Sequence, residues 1–330
     1  MKSKILTLAL TMFAAAAVLA CEKTPDNGDK QDPGTEIPSD EDPDTGESDD
    51  DGQANTILAG TFNIRYYNTG DGSNSWENRR DAVMDFINTS SADIMAMQEV
   101  CQIPGQYITA GLDDKYGWFE MDRNTGNSIL DNSSSEGVFL IWNQDRFSLK
   151  NKGYFWLADP WNQFPALNED GTYSSWNSAL PRLALWLELE DTENPGQMVY
   201  FVGTHYDHYS SRAKTGSSNL IISRIREIAG ITDIKNADVA VFVAGDFNTE
   251  YDAVELAAMR NAMYDARTTS PKTSTTQVTF NNFGGDGQTI IDHIFYGGNI
   301  EAEAYEVITG SYGVPYISDH YPVLFRCSYK

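Results

Sequence analysis

The chain is poor in cysteine, in histidine and in positive charge, and each shortage removes a class of function. Its 330 residues hold three cysteines and four histidines. Two of those cysteines, Cys101 and Cys327, lie beyond residue 21 and are too few to build a disulfide framework. On the expected strand directions they sit about 20 Å apart, out of bridging reach, and should stay free thiols. Lysine and arginine number 23 against 48 acids, a net charge of −25. No dense Lys/Arg cluster offsets this; Arg79-Arg80 and the stretch 212–226 are the richest. Capture of a polyanion rests on many cationic contacts to phosphate, so long duplex nucleic acid is disfavoured as a partner. A local cationic pocket is still allowed. Neither an internal repeat nor a second linker is visible.

What is present begins with an N-terminal address. Lys2 and Lys4 precede the apolar stretch Ile5–Leu19, which is short for the roughly 20 residues of a spanning helix. Ala20 and Cys21 follow, and VLAC resembles a bacterial lipobox. That resemblance implies cleavage after a signal peptide of residues 1–20, lipidation of Cys21, and attachment to a bacterial cell envelope at the outer membrane or cell surface. An ordinary signal peptide with an incidental cysteine is the alternative. Residues 22–54 carry thirteen acids, two lysines and many Pro, Gly and Ser, with little apolar surface to bury. The segment 21–54 is therefore expected to be a disordered acidic tether. Residues 55–330 remain as one large domain, itself of net charge −16.

Within this domain, TILAGTFNIR (56–65), ADIMAMQEV, GVFLIW, LALWLELE, MVYFVGTH and DVAVFVAGD read as strands. SWENRRDAVMDFI reads as a helix with Ser75 as N-cap, 212–235 as a long helix, and DAVELAAMRNAMY as a short one. Helices interleave with strands, but several strand pairs have no helix between them. An α/β architecture of packed mixed sheets with helices outside follows, rather than a purely parallel doubly wound sheet.

Polar clusters fall where strands end: Asn63, Glu99, His205-Tyr206-Asp207-His208, Asp246 with Asn248, and Asp292; Asp319-His320 precedes the last strand. Each alone has an ordinary explanation, as helix cap, solvated turn or surface strand end. Together they argue for a site. HYDH resembles part of the metallo-β-lactamase signature, but its first histidine is missing, and a hydrolytic zinc ion usually needs three nitrogen- or sulfur-rich ligands. An oxygen-rich set with few imidazoles suits Mg²⁺ instead, which keeps waters that a phosphate can displace.

The ordered motifs TFNIR, MQEV, LPR, GTHYDH, AGDFN, IDHIF and SDHYPV resemble the endonuclease/exonuclease/phosphatase superfamily, over about residues 57–326. The resemblance implies a four-layer α/β/β/α sandwich of the DNase I-like fold. It also implies hydrolysis of a phosphoester with Mg²⁺ (or Mn²⁺). Glu99, with Asn63 and Asp319, would hold the metal. Asp246 would position or deprotonate the attacking water, and Asn248 would bind phosphate oxygens. Asp292 would hold His320 in one tautomer, and His320 would act as base or phosphate ligand; which of Asp246 and His320 takes the proton stays open. His205 matches the other active-site histidine, Glu136 its acidic partner, and Arg182 a phosphate clamp. Asp207 would add to substrate binding, with His208 on the rim.

The substrate is less sharply written. IIDHIFY stands where inositol polyphosphate 5-phosphatases of the superfamily have a Trp-Cys-Asp-Arg type element, and QEVCQI lacks the lysine of its DNA-repair endonucleases. The motifs are nearer the deadenylase and nocturnin-like branch. The aromatic run 154–182, leading into Arg182, is either a stacking wall for a base or sugar, or packing. A small or short phosphoester is expected, acted on by a monomer. A surface nuclease and a non-catalytic ligand-binding lipoprotein are the alternatives.

Overall fold

The structure, a computed structural model, describes residues 55–131, 135–276 and 278–330. The expected signal peptide, Cys21 and the acidic segment to residue 54 lie outside the described residues. In chain order the strands are β1 (Thr56–Asn63), β2 (Ile94–Cys101), β3 (Tyr116–Asp122), β4 (Glu136–Asn143), β5 (Phe147–Trp156), β6 (Leu183–Asp191) and β7 (Met198–His205). They continue as β8 (Ala240–Asp246), β9 (Tyr264–Asp265), β10 (Lys272–Thr273), β11 (Asp292–Gly297), β12 (Ile300–Val307) and β13 (Val323–Tyr329). The main helices are α1 (Trp76–Thr89), α2 (Gln102–Gly111) and α3 (Ser211–Ala229). Two short ones follow, α4 (Ala257–Ala262) and α5 (Ala266–Thr269).

One sheet has the order β10-β12-β13-β1-β2-β4-β3 and the other β5-β6-β7-β8-β11-β9. Each is mixed: β1 runs parallel to β2 and β7 parallel to β8, while most neighbours are antiparallel. The sheets meet through a core that includes Ala59, Ala96, Leu140, Leu185, Phe201 and Phe242. On the outer face of the first sheet, Val83, Phe86 and Ile87 of α1 share a core with Phe62, Met95 and Phe139. On the outer face of the second, Ile221, Ile222 and Ile225 of α3 pack with Val202, Val241 and Val243. The result is the four-layer α/β/β/α sandwich. The period-2 strands and the i, i+3, i+4 stripe of α1 and α3 each find one apolar partner face.

The sheets approach closely near the polar strand ends. A Cβ on Gly203 would lie 2.3 Å from Leu140 Cδ2 and 2.8 Å from Ala96 Cβ, so only glycine fits two residues before His205. At the opposite edge, Arg146 joins the sheets. Its Nη2 donates to Asp191 Oδ2 (2.7 Å), which also accepts from the Tyr329 hydroxyl (3.0 Å). A buried pair bound this way fixes the layers relative to one another, because losing one partner leaves the other charged and unsatisfied.

Several elements depart from expectation. Helix α1 starts after Ser75 as the sequence suggests. Helix α3 stops at Ala229, because Gly230 takes a left-handed conformation (φ 66°) that ends the helix. The helix expected from Asp252 is reduced to a turn of 3₁₀ helix at Val254–Leu256 followed by α4. Helix α2 is unanticipated: QIPGQYITAG holds a proline and two glycines, but Pro104 sits in the first turn, where its missing N–H costs nothing. Both Cys101 and Cys327 are free thiols, as expected. No helix among the described residues is long and apolar enough to cross a membrane.

Candidate active site

Strand direction and register gather the polar strand ends at one edge. Strands β1, β2, β7 and β8 arrive there carrying Asn63, Glu99, His205 and Asp246, while β4 and β11 depart from it with Glu136 and Asp292. The pairing of β7 with β8 sets His205 opposite Asp246, and that of β8 with β11 sets Asp246 opposite Asp292. The segment between β12 and β13 adds Asp319 and His320. Sequence positions spread over more than 250 residues thus form one buried cluster.

Asn63 links the two sheets. Its Nδ2 donates to Glu99 Oε1 (3.1 Å) and to Asp246 Oδ2 (3.0 Å), while its Oδ1 accepts from the Arg65 backbone N–H (3.0 Å). Glu99 Oε2 accepts from the Tyr66 backbone N–H (2.9 Å). The β2–β4 register shifts between Met97 and Val100, and Glu99 sits in this bulge with φ 61°. Arg65 (φ 62°) and Asn248 (φ 48°) share the left-handed region. Such a backbone costs on the order of 1–3 kcal/mol per non-glycine residue, so three cases at one site mean the surroundings enforce it. At Asn248 the enforcers are visible. Its N–H donates to Asp246 Oδ1 (2.8 Å), its Nδ2 to Tyr206 O (3.1 Å), and its carbonyl accepts from Lys214 Nζ (2.6 Å).

The electrostatics are set by burial and by the crowding of acids. Burial, reinforced by Asp292, raises the Asp246 carboxyl to about 7, against the pull of His320. For His320 burial opposes the charge, yet Asp292, bonded at 2.8 Å to Nδ1, raises the imidazole to about 10. His320 Nε2 lies 3.8 Å from Asp246 Oδ2. His205 is driven the other way: burial, then Arg182 and Arg123, push it well below the ordinary histidine value. Its Nε2 is 3.4 Å from Asp246 Oδ2, and its Nδ1 is 3.7 Å from Glu136 Oε1. The same Glu136 oxygen is paired with Arg123 and, at 3.3 Å, with Arg182 Nη1. Burial and the negative charge of Glu99 raise Glu136 despite these arginines.

The donor chemistry fits a hard divalent cation. Ligand atoms of Glu99, Glu136 and His205 lie within 4.8 Å of one another, as do those of Asp246, Asp292 and His320. Burial raises Asp319, His320 opposes that, and Glu99 adds to it, so these carboxylates repel one another as the site stands. A cation held among these carboxylates and imidazoles would relieve that repulsion. Asn63, expected among the metal-holding groups, here turns its amide nitrogen to Glu99 and Asp246 and so braces two carboxylates.

A cleft of about 690 Å³ opens over the cluster, lined among others by Arg65, Glu99, Arg123, Arg182, His205 and Asn248. Asp207 does not join them. Its Oδ2 accepts from the Ala179 and Leu180 N–H groups, and its Oδ1 from those of Tyr209 and Ser210. With four backbone donors and 1% exposure, its carboxylate anchors the segment leading to Arg182 and does not face a substrate. His208 is exposed on the cleft rim. His293 points away from the cluster, packs against Phe247 and Phe295, and reaches Thr249 O through Nε2 (3.0 Å). The aromatic run is packing: Tyr154, Trp156, Phe164 and Tyr173 contact one another edge to face. None of them lines the cleft, where Tyr66 and Tyr67 stand instead. Sequence reading gave no site role to Arg123, a lone cation in its stretch, or to Lys214, which it counted only as part of the basic stretch 212–226.

Residues 60–320 match the Endonuclease/Exonuclease/phosphatase family. Among solved structures, an endonuclease/exonuclease/phosphatase from Bacteroides vulgatus is 28% identical, with a TM-score of 0.71 over 83% of this chain and 99% of that one. The Bacteroides thetaiotaomicron mannosyl-6-phosphatase Bt3783 is 21% identical, with a TM-score of 0.70 over 83% of this chain and 100% of that one. The human nocturnin catalytic domain with bound sulfate anion is 19% identical, with a TM-score of 0.62 over 84% and 94% of the two chains. Comparison with curated proteins finds no match. The ordered strand-end residues and the match across the whole sandwich lead to one conclusion: the chain belongs to the endonuclease/exonuclease/phosphatase family of metal-dependent phosphoester hydrolases.

Proposed function

We propose that the chain hydrolyses a small phosphate ester, with a sugar phosphate as the leading substrate class, and that it does so with Mg²⁺ or Mn²⁺. The observation that carries this is the cleft itself. Its volume, about 690 Å³, is that of a small-molecule site, and five charged side chains line it together with Tyr66 and Tyr67. The likeness to a mannosyl-6-phosphatase supports the same class. Glu99 and Asp319 would hold the ion, with Asn63 bracing Glu99. Bound there, it supplies neutralisation of negative charge on the phosphate and its leaving oxygen.

The remaining chemistry belongs to the side chains. Asp246, raised to about 7 by burial and by Asp292, is suited to accept the proton of an attacking water near neutral pH. His320 is held as an imidazolium by Asp292 and donates from Nε2 towards the reacting phosphate. Asn248 and Arg182 contribute donors fixed before substrate arrives, the form of stabilisation on which phosphoryl transfer depends most. Assay of the full chain against sugar phosphates, mononucleotides, lipid headgroup esters and duplex DNA, with Mg²⁺ and with EDTA, tests this. Sugar phosphates should give the highest kcat/KM, and EDTA should abolish turnover. Duplex DNA as best substrate, with a steep salt dependence, would replace this reading with a surface nuclease.

We also propose that the enzyme works at a bacterial envelope, anchored through lipid on Cys21. The basic, apolar and VLAC segments in sequence are the support. Mass measurement of the membrane-extracted protein should find an N-terminal diacyl or triacyl cysteine; an unmodified Cys21 rules the anchor out.

A further inference from the structure

Two guanidiniums of the cleft meet at Glu136, and one of them, that of Arg123, has no part in the proposed reaction. Arg123 stands just past β3, and its guanidinium pairs with Glu136 Oε1. Arg182 Nη1 pairs with that same oxygen at 3.3 Å. The Arg123 and Arg182 side chains are 15% and 5% exposed, so two nearly buried guanidiniums face a single carboxylate. The Nε atoms of both arginines are buried and without a hydrogen-bond partner among the described residues. Other cations of the cleft are committed elsewhere. Arg65 is held by Asp71 and Asp319, and Lys214 by the Asn248 carbonyl. Two buried donors are therefore left without partners beside His205 and Glu99, which line the same cleft. Leaving buried guanidinium donors unpaired is costly, and an anionic ligand offsets it.

We propose that Arg123 is a specificity-determining residue: together with Arg182 it binds the second negative charge of a phosphate monoester, so that the cleft selects monoesters over diesters. This rests on the small-phosphate-ester reading above. A diester carries one charge at every neutral pH. A monoester loses its second proton near pH 6 and is close to a dianion at pH 7. Arg182 alone matches the first case; the pair of guanidiniums matches the second, with planar forks suited to adjacent phosphate oxygens.

The test compares wild type, Arg123→Gln and Arg123→Lys on para-nitrophenyl phosphate and bis(para-nitrophenyl) phosphate, which share a leaving group. Arg123→Gln should lower the monoester-to-diester ratio of kcat/KM by about 10–100-fold, the range of one lost charge-assisted hydrogen bond. Arg123→Lys should recover part of it. The ratio is taken within one protein sample, so a change in folded fraction cancels. Equal losses on both substrates, leaving the ratio where it was, overturn the assignment. Calorimetric binding of inorganic phosphate and of dimethyl phosphate answers separately from turnover. Arg123→Gln should weaken the dianion about tenfold more than the monoanion, and equal weakening overturns the assignment. A wild type that hydrolyses no small ester removes the proposed function instead, while the binding comparison still decides the role of Arg123.

Discussion

Exchange of Glu99 for glutamine is expected to lower turnover by about three orders of magnitude, and to weaken Mg²⁺ binding in a calorimetric titration. The substitution is nearly isosteric, so what changes is charge. Glu99 accepts from Asn63 Nδ2 through one oxygen and from the Tyr66 N–H through the other. A glutamine can keep one of these bonds but meets the second donor with its own NH₂. The left-handed backbone at Glu99 sits in a bulge, and the glutamine variant keeps that backbone without the negative charge. Stability should move differently. Glu99 raises the carboxyls of Glu136 and Asp319 by like-charge repulsion, so neutralising it relieves both. The melting temperature of the metal-free variant should equal or exceed that of wild type while activity is lost. A variant within tenfold of wild type, or wild-type activity that survives EDTA, would remove Glu99 from the metal site.

The parts of this protein that could be read from its sequence are those where one residue type has one local meaning. Apolar strands ending in an acid, an amide or a histidine marked β1, β2, β7 and β8, because buried strands read as continuous runs and an ionisable or amide group there needs a reason. Since β7, β8 and β11 pair in register, those ends had to meet. What escaped depended on partners far away in the chain. Helix α2 was hidden by Pro104 and by Gly105, whose lack of a side chain lets Leu130 and Val100 approach. Arg123 carried no pattern; its meaning comes from Glu136 and Arg182, thirteen and fifty-nine residues away. Asp207 looked like a substrate ligand beside His205, yet its hydrogen bonds go to the backbone of residues 179–180 and 209–210. The bulge at Glu99 is a matter of register and leaves no trace in residue type.

Asp292→Asn is expected to be the second severe substitution, lowering kcat/KM by about 10³–10⁴-fold, the scale seen when an aspartate that orients a catalytic imidazole becomes an amide. Asp292 is 1% exposed and pinned by its own N–H donating to Thr279 Oγ1 (3.0 Å). Its Oδ2 accepts from His320 Nδ1 at 2.8 Å, leaving Nε2 directed to the Asp246 side. The ring of Phe280 lies 5.0 Å from the imidazole, and Ser318 Oγ accepts from the His320 backbone N–H, so the ring has little freedom to compensate. An asparagine either keeps the bond as a weak neutral acceptor or turns its NH₂ to Nδ1 and imposes the wrong tautomer. Both remove the charge that holds His320 protonated. The stability consequence has a sign. Burial lowers the His320 pKa, but Asp292 more than reverses this and raises it to about 10, above the unfolded histidine value near 6.5. The pair therefore stabilises the fold fully below about pH 6.5, and that contribution fades as pH rises through about 10. In metal-free protein the gap in unfolding free energy between wild type and Asp292→Asn should be widest near pH 6 and should narrow towards pH 10. A gap that widens with pH, or a variant retaining a tenth of wild-type activity, is incompatible with Asp292 as the group that positions His320.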